Sequence, residues 1–186
     1  MLVYIHGFNS SALSFKARLL RERMAALGRG AEFHCPDLDH RPSRAIVQLE
    51  ALIGQHGKAA LVGSSLGGYY ATYLGEKHGL RAALVNPAVR PYELLAAYAG
   101  PQRNLYTGAR YEFTAQHLEE LRALEVERIT PARYLLVVAT GDELLDYRMA
   151  TAKYGDCTQI IVEGGDHGFS GFSEHVEAVL AFCNGR

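Results

Sequence analysis

Five consecutive residues, Gly63-Ser64-Ser65-Leu66-Gly67, constrain the fold of this chain more than any other stretch. They stand between an apolar run at residues 59–62 and a segment of helical character at residues 69–77. A chain that turns sharply from a strand into a helix strains the backbone of the residue at the apex. It also crowds the residues two before and two after the apex, which must be nearly free of side chain. Gly63 and Gly67 hold those two positions around Ser65. Such a turn lifts the serine hydroxyl above a sheet, and the free N–H groups opening the helix face any anion that forms there.

Short apolar runs alternate with helical patterns along the rest of the chain. Residues 2–6 are β-rich and end at Gly7, and residues 14–27 carry Phe15, Leu19, Leu20, Met24 and Leu27 near a helical period before Gly28. Residues 32–35 read as a short strand stopped by Pro36. Ser43 is placed to cap a helix through His56, with Ile46, Val47, Leu49, Leu52 and Ile53 as its buried stripe. Further strands are predicted over 59–64, 82–85, 134–139 and 158–162. The last three are nearly all apolar, as in strands covered on both faces. A helix over 173–182 closes the pattern.

About six strands joined by helices predict an α/β fold with a doubly wound, mostly parallel sheet. The 186 residues suit a single domain with a sizeable core. Residues 87–131 break the rhythm, with helical pieces at 92–98 and 116–124 separated by polar, tyrosine-rich sequence. They are expected to form a short helical lid inserted over the strand ends.

A net charge of −1 gives no electrostatic reason to expect nucleic acid or an anionic membrane as partner. No apolar run approaches the roughly 18 residues of a spanning helix, and residues 1–5 lack the basic region of a signal peptide. Cys35, Cys157 and Cys183 are odd in number and far apart. They argue against a disulfide framework and for a reducing compartment, the cytoplasm.

A serine hydroxyl is protonated at neutral pH and needs a base to act as a nucleophile. Of the eight histidines, His167 is best placed, in the glycine-rich loop Gly164-Gly165-Asp166-His167-Gly168-Phe169 after a predicted strand. Loops that follow parallel strands emerge at one edge, where His167 and Ser65 can meet. The plain alternative is an incidental surface histidine. A base in turn needs an acceptor to fix its tautomer. Asp142, in Thr140-Gly141-Asp142-Glu143, follows a strand at the same edge, with Glu143 and Asp146 as rivals. Asp166 adjoins His167, and adjacent side chains diverge. The chain order serine, acid, histidine favours Asp142. An oxyanion hole is expected from the backbone N–H of Leu66 and, in the loop His6-Gly7-Phe8-Asn9, the N–H of Phe8. His6 is expected to shape that loop.

The combination of His6-Gly7-Phe8-Asn9-Ser10-Ser11, GSSLGGYY at 63–70, NPAVRPYEL at 86–94, TGDELLDYR at 140–148 and EGGDHGF at 163–169 resembles the α/β-hydrolases, and among them the small bacterial YqiA-like esterases. The resemblance spans nearly the whole chain. It implies a compact hydrolase fold lacking the superfamily's first two strands. It also implies Ser65, Asp142 and His167 as a triad acting on carboxylic esters or acyl thioesters, small-molecule substrates, without a cofactor.

Other features point elsewhere only weakly. His34, Cys35, Asp37, Asp39 and His40 are metal-ligand types, yet they read more simply as a strand end turning into a loop, and no metal is expected. Residues 63–68 lack the lysine of a phosphate loop. Arg90, Tyr106 and Tyr111 lie in the insertion, where they would either contact substrate or pack the lid. Two further readings are a binding protein that keeps a hydrolase scaffold and a serine peptidase or amidase on the same fold.

Overall fold

Alternation along the strands decides where the helices must go. In Leu2–Ile5 (β1), Leu2 and Tyr4 join one hydrophobic cluster and Val3 and Ile5 the other, and all four are buried. A strand buried on both faces needs a helical layer on each side. The computed structural model describes residues 1–185. Its other strands are Phe33–His34 (β2), Ala60–Ser64 (β3), Arg81–Val85 (β4), Gly100–Arg103 (β5), Arg110–Phe113 (β6), Tyr134–Ala139 (β7) and Thr158–Val162 (β8). The helices are Phe15–Ala26 (α1), Pro42–His56 (α2), Leu66–His78 (α3), Pro91–Leu94 (α4), Ala115–Arg122 (α5), Tyr147–Lys153 (α6) and Val176–Cys183 (α7).

Six strands form one parallel sheet in the order β2-β1-β3-β4-β7-β8. Leu20 and Met24 of α1 and Val179 and Leu180 of α7 pack on the face that carries Tyr4, Val62 and Val137. Leu49 and Ile53 of α2, Tyr70 and Leu74 of α3 and Tyr154 after α6 cover the face that carries Ile5, Leu61 and Leu136. Truncating a fully buried leucine such as Leu20 or Leu49 is expected to cost about 2–5 kcal/mol. The chain runs from β1 outward to β2 and returns to β3, so its direction of travel reverses between β1 and β3. Loops at the carboxyl ends of the strands part at such a reversal and leave a crevice. Among the described residues no helix is long and apolar enough to cross a membrane.

The α/β fold with a mostly parallel six-stranded sheet agrees with the sequence reading; several local details differ. Helix α1 buries Lys16, Ala17, Leu20 and Met24 and leaves Phe15 exposed, as is Leu27 just past its end. Its apolar residues offer two overlapping stripes, and the one containing small Ala17 lets the helix lie close to the sheet. Helix α2 starts at Pro42, whose missing N–H and fixed φ suit the first helical position. Ser43 therefore lies inside the first turn, where its N–H donates to Glu120, and Val47 of the expected stripe faces solvent. Strand β8 is at the sheet edge and is only half covered, with Ile161 51% exposed. The insertion is not purely helical, because β5 and β6 form an antiparallel hairpin within it.

Candidate active site

Steric closure shapes the turn after β3. Ser65 has φ 56° and ψ −121°, a conformation that non-glycine residues rarely adopt. A Cβ on Gly63 would lie 2.3 Å from the carbonyl oxygen of Gly67, and one on Gly67 would lie 1.9 Å from that of Ile5. Only glycine fits at either place. The loop after β1 abuts the same point, since a Cβ on Gly7 would lie 3.6 Å from Ser65 Oγ. Asn9, Ser65, Asn86 and Phe169 are the non-glycine residues with positive φ among those described, and each belongs to a loop after a sheet strand. Backbone strain collected at one rim marks a functional-site candidate.

Three strand ends bring polar side chains together at that rim. Ser65 Oγ lies 3.1 Å from His167 Nε2, and His167 Nδ1 lies 2.8 Å from Asp142 Oδ2. The carboxylate accepts from Nδ1–H, which leaves the Nε2 lone pair facing the serine hydroxyl. The side chain of Asp142 is 2% exposed and that of His167 20%. Burial pushes the Asp142 carboxyl up, but the His167 hydrogen bond, the N–H groups of Leu145 and Leu144 and the His167 charge outweigh it and hold it below its ordinary value. Asp142 therefore stays ionised at neutral pH. The rival acids are engaged elsewhere: Glu143 Oε2 accepts the backbone N–H of His167 at 2.9 Å, and Asp146 caps α6 by accepting from Arg148 N–H.

Of the two residues expected to supply oxyanion donors, Leu66 directly follows Ser65 and Phe8 lines the same cleft as Ser65 and His167. Leu66 opens α3, where an N–H has no intrahelical acceptor. Phe8 follows Gly7 in the loop after β1. His6 shapes that loop: it accepts from Leu38 N–H through Nε2 at 3.2 Å, and its Nδ1 lies 3.0 Å from the Gly7 carbonyl. Burial lowers its basicity, consistent with the neutral form this pattern requires.

Asn86 is a site residue that sequence reasoning passed over. It is 3% exposed, and its Nδ2 donates to the carbonyls of Asp166 and His167 at 3.1 and 3.2 Å while its Oδ1 accepts from Ala139 N–H at 2.9 Å. One side chain thus ties the β7 end, which leads to Asp142, to the His167 loop. The signal was an Asn-Pro pair directly after a buried strand, a place where asparagine tolerates positive φ. Lys16 adds a third tie, donating from Nζ to the Gly168 carbonyl at 2.6 Å. Burial lowers its ammonium to about 8, opposed by the Asp166 and Asp142 carboxylates.

The remaining sequence candidates are spread out. Tyr106 is half exposed and lines a 310 Å³ cleft with Ser65, His167 and Lys16. Tyr111 donates from its hydroxyl to Asn9 Oδ1 at 2.6 Å and stacks near His40, so it braces the loop after β1. Arg90 lies on the rim of a neighbouring hollow, 3.6 Å from Glu93. Asp39 is bound by Arg41, Asp37 accepts from Ala12 N–H, and His34 packs against His56. Among the described residues no three His, Cys, Asp or Glu side chains gather so as to hold a metal ion. A 620 Å³ cavity opens at the opposite end of the strands beside Met1, Ala60 and Arg81, away from this chemistry.

The model of the uncharacterised protein family UPF0227 matches residues 1–184. The chain belongs to this family. It is the YqiA-like family to which the motifs pointed. A UPF0227 protein of Vibrio cholerae (strain ATCC 39541) is 24% identical over 187 residues, covering 98% of each chain. Among solved structures, Est1E from Butyrivibrio proteoclasticus superposes with a TM-score of 0.74 at 17% identity over 99% of this chain and 86% of its own. A monoacylglycerol lipase of Paleococcus ferrophilus gives 0.66 at 16% identity over 97% and 94%. At such identities the likeness establishes a common α/β-hydrolase fold.

Proposed function

We propose that this UPF0227 member is a serine hydrolase that cleaves carboxylic esters or acyl thioesters through an acyl-enzyme. The observation that carries the reading is the continuous chain Ser65 Oγ, His167, Asp142, with links of 3.1 and 2.8 Å, at the apex of a strained strand-to-helix turn. His167 takes the Ser65 proton as the oxygen attacks the carbonyl, and the N–H groups of Leu66 and Phe8 hold the oxyanion. The same imidazole then gives its proton to the departing alcohol or thiol. Water repeats the sequence and frees the acid. Asp142 keeps the tautomer and stabilises the imidazolium. Losing one oxyanion donor typically removes about 3 kcal/mol of transition-state stabilisation. The names of the structural neighbours, a lipase among them, agree with ester cleavage.

The substrate in this reading is a small molecule, and no step needs a cofactor. The three cysteines are unpaired and part-buried, and burial pushes the Cys157 thiol up to about 11. Unpaired thiols suit a reducing compartment, and we place the protein in the cytoplasm. The test is hydrolysis of p-nitrophenyl acetate, an acyl thioester and a peptide p-nitroanilide by purified protein and Ser65→Ala. Ester or thioester turnover is expected, reduced by about 10⁶-fold in the variant. Unchanged turnover in Ser65→Ala would remove the serine mechanism, and preference for the anilide would make the protein an amidase.

A further inference from the structure

A second hollow, 310 Å³ in volume, lies between the segment after β4 and the loop after β7. One wall is Ala88, Val89 and Leu94, and the other is Leu144, Leu145 and Met149. Leu94, Leu144 and Met149 are large apolar side chains left exposed. Scattered exposed leucines need no explanation, but several gathered in one concavity mark a place for an apolar group. Arg90, Glu93 and Asp146 form its polar rim.

Both walls join directly to the groups assigned to chemistry. Ala88 N–H donates to the Ser65 carbonyl at 3.1 Å, and Leu144 and Leu145 N–H donate to Asp142 Oδ1 at 2.9 and 2.8 Å. The Ser65 cleft shares no lining residue with the hollow. Its lining includes Phe8, Phe15, Leu105 and Tyr106 beside Lys16. It also includes His167, which hands a proton to the leaving group.

We infer that the hollow between Ala88 and Met149 is the acyl-chain site, holding the unbranched aliphatic chain of the ester or thioester whose carbonyl is attacked by Ser65. The Ser65 cleft, which His167 lines, then receives the alcohol or thiol half. The inference rests on the esterase reading and adds the substrate class to it. A volume near the lower bound of small-molecule sites suits a chain on the hexanoyl to octanoyl scale. Longer chains overrun the Arg90–Glu93 rim.

The test is kcat/KM for the p-nitrophenyl esters of acetate, butyrate, hexanoate, octanoate and dodecanoate. Each methylene buried is expected to raise kcat/KM about fourfold up to hexanoate, followed by a plateau. Leu144→Trp and Met149→Trp, made separately at exposed positions, fill the hollow. Each is expected to lower the hexanoate-to-acetate ratio about tenfold. Val47→Trp, exposed on α2, is the control and leaves the ratio unchanged. A flat wild-type series, or ratios in both groove variants equal to wild type, overturns the assignment. If acetate turnover depends on Ser65 while the ratio ignores the groove variants, only the acyl site falls. If no ester is cleaved, the esterase reading falls and takes the acyl site with it.

Discussion

The turn at Ser65 and the loop at His167 meet at one rim, yet different forces hold them. At Ser65 the backbone itself fills the space, since a Cβ on Gly67 would stand 1.9 Å from the Ile5 carbonyl oxygen. At His167 three separate elements reach in with polar side chains: Glu143 takes the backbone N–H, Asn86 gives to the Asp166 and His167 carbonyls, and Lys16 gives to the Gly168 carbonyl. Steric closure fixes Ser65 with little tolerance, and one added carbon breaks it. Polar tethering fixes His167 by shares, so each tether can be removed singly and its share measured. In the proposed mechanism His167 moves a proton between two partners, and a loop held by several modest bonds keeps its geometry if one is weakened.

The largest expected effect breaks the steric half. Gly67→Ala is expected to destabilise the fold by more than about 4 kcal/mol, because backbone and not a flexible side chain stands in the way. A denaturant midpoint equal to wild type would show that the turn has slack. Next, Asp142→Asn is expected to lower kcat by about 10⁴-fold while the fold survives, because the amide supports the wrong imidazole tautomer. If Asp146→Asn proved the damaging change instead, the acid assignment would fail. A smaller effect sharpens the tethered half. Asn86→Ala is expected to reduce kcat about 10²-fold through displacement of His167 by a fraction of its bond lengths. It should also cost about 1–3 kcal/mol of stability from the orphaned Ala139 N–H. Loss of stability with full kcat would make Asn86 a structural residue only.

How much of this was legible in the sequence follows from the range of the forces involved. The Ser65 turn was readable because its requirement is local: two glycines at fixed offsets, after an apolar strand. Asp142 and His167 were readable because each follows an apolar run whose loop must emerge at the same edge of a parallel sheet. Asn86 was not singled out, since its partners Ala139, Asp166 and His167 lie more than fifty residues away along the chain. The hairpin of β5 and β6 was missed because Gly100-Pro101-Gln102-Arg103 shows no apolar alternation; its pairing rests on backbone bonds and on contacts such as Asn9 Nδ2 to Gln102 Oε1. Helix α1 displayed two competing stripes, and the sheet chose the one with Ala17.

Incubation with a fluorophosphonate, followed by mass spectrometry of the peptides, tests the nucleophile most directly. A hydroxyl activated by His167 is predicted to give a single adduct on Ser65, formed far more slowly in His167→Ala and absent in Ser65→Ala. A folded wild-type protein whose Ser65 peptide remained unmodified, or an adduct on another residue, would contradict it.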